Sequence, residues 1–126
     1  MGGQVSTEQR SKLGTVNSVH SLDSYIKRFH QSFLPSLPFN KLMVIEFSAY
    51  GCGPCKFIEP AVHDLAIEFS DVDFIKIDVD ELPNRAKHFD VQATPTFVLF
   101  NKGKELDRTI GVKKDELHRM IEKHRV

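Results

Sequence analysis

The sequence predicts an α/β domain, a mixed central sheet with helices on both faces. Three observations carry that prediction. Short apolar runs at 42–48 and 72–79 have the length and β-former content of buried strands; stretches with apolar residues at three- and four-residue steps alternate with them; and a glycine-bearing loop at 101–105 joins two more β-rich runs ahead of a last helix.

Residues 1–14 (MGGQVSTEQRSKLG) have no hydrophobic period and many small polar side chains, as a mobile tail does, so the folded domain is expected over 15–126. From Ser21, which can cap, Leu22, Tyr25, Ile26, Phe29 and Phe33 mark an amphipathic helix that ends before Pro35 and Pro38. Leu42 to Ser48 (LMVIEFS) reads as a strand buried on both faces. Phe57, Ile58, Ala61, Val62, Leu65, Ala66 and Phe69 then mark one face of a helix whose first turn holds Gly53, Pro54 and Cys55, and Pro60 within it should bend it. Val72 to Val79 is the next strand, and Leu82 to Phe89 a short helix. Thr96 to Phe100 and Leu106 to Ile110 form a hairpin with Gly103 at the strained turn position, and Leu117, Met120 and Ile121 line a C-terminal helix.

A chain of 126 residues suits one domain, and 40% hydrophobic with 27% charged residues is an ordinary globular composition. Seventeen basic side chains balance 17 acidic ones without a basic run, so nucleic acid is not an expected partner. The first twenty residues lack the apolar core of a secretory leader and no segment approaches membrane-spanning length, which points to a cytosolic protein.

In that compartment the two cysteines are reduced by default, and a structural disulfide explains them poorly. Their spacing, Cys52-Gly53-Pro54-Cys55, between a strand and a helix, places Cys52 at the helix N-terminus. There unpaired backbone N–H groups, the helix dipole and Lys56 favour the thiolate, which is the nucleophile. Cys55, one turn further in, is positioned to act second: Cys52 attacks a disulfide, and Cys55 resolves the mixed disulfide. Pro54 stiffens the turn, and Gly53 lets a substrate backbone approach. A zinc half-site fits poorly, since no second cysteine pair exists and the six histidines are scattered.

Phe47-Ser48-Ala49 before the motif, Cys52-Gly53-Pro54-Cys55-Lys56 at it and Ala93-Thr94-Pro95-Thr96-Phe97 beyond it resemble the thioredoxins, and among them the plant cytosolic h-type, from about Val19 to the C-terminus. The resemblance implies the thioredoxin fold and protein-disulfide reductase activity. It implies that Thr94–Pro95 is a cis peptide beside the cysteines, with Pro95 shielding them and its preceding backbone pairing with substrate. Glu46 stands where the family buries a carboxylate, usually Asp, that helps move the proton of the resolving thiol; by pattern alone Glu46 reads as a paired or solvent-facing strand residue. Lys76 faces that carboxylate in family members and would tune its charge. Gly111 matches a glycine that leaves room for substrate, and equally reads as a simple turn glycine. The chain departs from the family just before Cys52, where Gly51 replaces Trp. That loosens docking, with Tyr50 a partial substitute.

The resemblance further implies no bound cofactor beyond the redox-active Cys52/Cys55 pair. Electrons would come ultimately from NADPH through a thioredoxin reductase, or through a glutaredoxin system, and pass to disulfide-containing target proteins. The alternative is a redox-gated binding or chaperone module in which Gly51 has cost most of the catalysis. Met1-Gly2-Gly3-Gln4-Val5-Ser6 also fits the N-myristoylation pattern, with Gly2 as acceptor; with no nearby cysteine for a second lipid and only Arg10 and Lys12 as basic support, membrane attachment would be weak and reversible.

Overall fold

Side chains divide by alternation along β2 (Met43–Ser48). Leu42 and Val44 join Ile58, Val62, Leu65 and Leu117 in one buried cluster, while Met43, Ile45 and Phe47 join Leu82 and Phe89 in a second. With a core on each face, the strand is apolar nearly throughout, and Glu46 is the one charged residue that interrupts it ahead of the closing Ser48. The computed structural model describes residues 13–16, 42–102 and 104–125. In it β2 lies at the centre of a sheet that also contains β1 (Leu13–Val16), β3 (Asp73–Asp78), β4 (Thr96–Asn101) and β5 (Lys104–Ile110), in the order β1-β3-β2-β4-β5. The first three neighbours run parallel, β4 lies antiparallel to β2, and β5 antiparallel to β4. The sheet is therefore mixed, as the element pattern predicts.

Two helices cover the Val44 face. From α1 (Gly53–Glu68), Ile58, Val62, Leu65 and Ala66 are buried at helical spacing; from α3 (Lys114–His124), Leu117, Met120 and Ile121 meet them. The opposite face is closed by α2 (Pro83–His88), whose flanking Leu82 and Phe89 pack under Phe47 and Phe100. Arg108 on β5 ties this side together: its guanidinium donates to the carbonyls of Phe89 (2.7 Å) and Asp90 (3.3 Å) just past α2, and to Glu105.

Two sequence expectations change. The stretch assigned to the tail reaches too far, because Leu13 and Gly14 open β1, paired in parallel with Phe74 and Ile75 of β3. The backbone ladder offered by the edge of β3 makes a strand of four residues that carry no pattern of their own. Pro60 lies inside α1, which runs through it to Glu68; both Pro60 and Lys56, whose carbonyl loses its usual donor, are exposed, where water can replace the missing bond. The hairpin is also tighter than expected, with β5 beginning at Lys104 and Lys102 taking a left-handed conformation (φ 54°). The tail before Leu13, the helix read from Ser21 to Phe33 and the turn glycine Gly103 lie outside the described residues.

Candidate active site

Where β2 ends, Ala49 to Cys52 make a turn closed by the Cys52 N–H, which donates to the Ala49 carbonyl at 3.1 Å. Cys52 is the N-cap of α1, in extended conformation, with Gly53 and Pro54 opening the helix. A helix start leaves N–H groups without intrahelical acceptors, and here the Cys55 N–H donates to Cys52 Sγ at 3.2 Å. The two sulfurs are joined in a disulfide, with Cα atoms 5.3 Å apart. Cys55 is 4% exposed whereas Cys52 is partly open, so the first sulfur is reachable and the second lies behind it.

The loop before β4 completes the front of the site. The Thr94–Pro95 peptide is cis, and the Thr94 carbonyl oxygen lies 3.6 Å from Cys52 Sγ. Pro95 is buried, and its carbonyl accepts the Gly111 N–H at 2.8 Å. The Thr96 hydroxyl donates to the Ala93 carbonyl at 2.6 Å, so the loop is held at both ends. Gly111 has φ 93°, a conformation that favours glycine, while a Cβ built there would meet nothing within 4 Å. Its backbone geometry thus accounts for the residue, and the space beside it is open.

Behind the cysteines, Glu46 shares the β2 face of Val44, the face covered by α1. It is 1% exposed, and neither carboxylate oxygen meets a hydrogen-bond partner among the described residues. The strand pattern read as paired or solvent-facing is therefore neither. Burial pushes the Glu46 pKa up to about 7, with the charge of Lys76 opposing the rise and that of Glu59 adding to it. Lys76 is the register neighbour of Glu46 across β2 and β3, and its ammonium is paired with Glu59 of α1. A cleft of about 370 Å³ opens beside these groups, lined by Ser48, Tyr50, Cys55, Lys56, Glu59 and Lys76 among others. Sequence reading missed Glu59. Its signal was its place four residues after Cys55, which puts both on one helix face.

Gly51 and Gly53 are exposed, and a Cβ at either would meet nothing within 4 Å. Tyr50 is 84% exposed and stands under the Lys56 ammonium, which lies 5.4 Å from its ring centroid. Of the residues singled out in the sequence, Gly51 to Lys56 lie at the start of α1, Thr94 and Pro95 stand beside Cys52, Gly111 bonds to Pro95, and Glu46 neighbours Lys76 across β2 and β3; Gly2 lies outside the described residues. No three His, Cys, Asp or Glu side chains among the described residues converge as a metal site requires.

The family model described as "Thioredoxin" matches residues 24–123. Thioredoxin H2 of Arabidopsis thaliana is 49% identical over 132 aligned positions, covering 99% of both chains. Thioredoxin H-type 1 of Nicotiana tabacum is 40% identical, over 90% of this chain and 87% of that one. Among solved structures, a thioredoxin of Nicotiana alata, NaTrxh, superposes with a TM-score of 0.84 at 43% identity, covering 92% of this chain and 95% of that one. Thioredoxin of Fasciola hepatica follows the same fold with a TM-score of 0.76 at 34% identity, over 88% and 98% of the two chains.

Proposed function

Because this chain belongs to the thioredoxin family, and is a thiol–disulfide oxidoreductase that reduces protein disulfides through a dithiol/disulfide cycle, we propose that Cys52 opens each cycle and Cys55 closes it. The observation that carries this order is the Cys55 N–H aimed at Cys52 Sγ at the open start of α1, with Cys55 itself buried. In the reduced protein the same donor, the helix dipole and Lys56 stabilise a Cys52 thiolate. That thiolate attacks one sulfur of the target disulfide; the other sulfur leaves as a thiolate and takes up a proton. Cys55 then gives its proton to ionised Glu46, and its thiolate attacks Cys52 Sγ. The Cys52–Cys55 bond forms, the mixed disulfide breaks, and the second target sulfur leaves as a thiolate that takes up a proton from water, while Glu46 returns its own proton to water. Two electrons have passed to the target.

Thr94 and Pro95 supply the ledge against which an extended substrate segment pairs, and the open space at Gly53 and Gly111 admits its backbone. Gly51 leaves that surface without the aromatic cover of related sites, and Tyr50 with Lys56 stands in its place. The oxidised pair is recharged by an NADPH-dependent thioredoxin reductase or by a glutaredoxin system. The protein works in the cytosol, as the resemblance to the h-type thioredoxins implies, and its domain is best drawn from Leu13, where β1 begins. No helix among the described residues is long and apolar enough to cross a membrane. Gly2 is a myristoylation acceptor by its sequence pattern; an unmodified Gly2 in protein purified from eukaryotic cells, read by mass spectrometry, removes that part of the proposal.

The test is insulin reduction coupled to NADPH oxidation, with thioredoxin reductase and the glutathione–glutaredoxin couple supplied in separate reactions. Turnover with at least one of them, lost in Cys52→Ser, is the expected result. No turnover with either, while the purified protein still forms its Cys52–Cys55 disulfide, refutes the reductase assignment.

A further inference from the structure

The mechanism above uses Glu46 and leaves Lys76 and Glu59 as neighbours. Their arrangement calls for more. Lys76 and Glu46 are register partners on adjacent parallel strands, so their side chains leave the same face of the sheet. Glu59 reaches Lys76 from α1, and it does so from the helix face that also carries Cys55, one turn away. A single ammonium is thus paired with the partly exposed carboxylate of Glu59, while its charge also acts on the sealed carboxyl of Glu46.

We propose that Glu59 is a positioning residue for the resolving step: by engaging Lys76 on the wall of the Cys55 cleft, it holds that ammonium in one place and partly cancels its charge, and so sets how readily Glu46 ionises to receive the Cys55 proton. This rests on the assignment of Glu46 as proton acceptor made above. An unopposed Lys76 would draw Glu46 into its ionised form, leaving a poorer base; Glu59 counters that pull. The titratable side chains of the cleft are Cys55, Lys56 and Glu59 from α1, Lys76 and Asp78 from β3, and Tyr50 and Glu81 from the flanking loops. Of these, Lys76 and Glu59 are the two whose charges bear on Glu46, in opposite directions. From β4 and α3 the same face presents Phe97, Leu99, Leu117, Met120 and Ile121, none of which titrates.

The experiment follows the Glu46 carboxyl by carbon NMR in the oxidised protein, where neither cysteine titrates, and the second phase of thiolate release from a small aromatic disulfide in the reduced protein. Glu59→Gln, which keeps shape and removes charge, is expected to move the Glu46 titration about half a pH unit towards acid, about a threefold change in the carboxylate-to-carboxyl ratio. The pH profile of the second phase should move with it. Lys76→Met should move both in the opposite direction. A purely structural role for the ion pair predicts no such reversal of sign. If Glu59→Gln leaves the titration and the profile in place while Glu46→Gln alters the profile, the role given to Glu59 is wrong and that of Glu46 stands. If Glu46→Gln keeps the wild-type profile, Glu46 is not the acceptor and both assignments fall.

Discussion

Replacing Glu46 by glutamine should make the protein more stable above neutral pH and leave it nearly unchanged in acid. A carboxyl whose pKa is higher folded than unfolded binds its proton more tightly in the native state, so its contribution is complete below the unfolded value and is lost as pH rises through the folded one. For Glu46 those limits are 4.5 and about 7. At about 1.4 kcal/mol per pH unit the whole gap amounts to about 3 kcal/mol, most of which falls between pH 5 and pH 8. With 1% exposure and no hydrogen-bond partner among the described residues, little solvent is present to soften the cost. The assay is guanidinium unfolding of the oxidised wild type and Glu46→Gln at both pH values. Subtracting the two proteins cancels the histidines and surface carboxylates they share. The stability gained by the substitution should be larger at pH 8 than at pH 5 by about 2 kcal/mol or more. An equal gain at the two values refutes the reasoning, because it means that Glu46 is not held protonated by burial. The cost of burying the unsatisfied neutral amide is the same at both pH values and cancels in the comparison.

Cys55→Ser should halt the cycle at the mixed disulfide, leaving targets covalently attached to Cys52 and visible on non-reducing gels, whereas Cys52→Ser should capture none. Gly51→Trp should lower the KM for a protein disulfide severalfold with little change in stability, because a side chain there enters open space beside the reachable sulfur; an unchanged or raised KM counts against a docking role for this position. Leu117→Ala should cost about 2–5 kcal/mol in unfolding experiments, since Leu117 is fully buried where α3 meets α1 and the sheet.

Much of this architecture was legible in residue order because the strands and helices concerned are buried by their own pattern. The continuous run LMVIEFS can only be a strand with a core on each face, and the spacing of Ile58, Val62 and Leu65 can only be one helix face. The hairpin and α3 follow from the same alternation and periodicity. β1 was not legible, because LGTV carries no pattern of its own and becomes a strand only through pairing with β3. The start of β5 escaped for a related reason: Lys104 and Glu105 are exposed edge residues whose ladder, not their hydrophobicity, makes them strand. At the site, the cysteine spacing and the strand-to-helix turn led directly to an outer Cys52 and an inner Cys55, the placement that their exposures show. The unpartnered state of Glu46 could not be read, since it depends on what the neighbouring elements fail to offer. The engagement of Lys76 by Glu59 joins positions on different elements, and sequence proximity gives no hint of it.

The margin of the sheet formed by β5 has a consequence for how copies of this protein behave towards one another. Its residues Lys104, Glu105, Asp107 and Arg108 are charged, and Arg108 is already committed to Glu105 and to the carbonyls beyond α2. A strand from a second molecule laid along this border would have to strip hydration from all four charges and gain little apolar burial in return. These charges disfavour sheet-to-sheet pairing along this border.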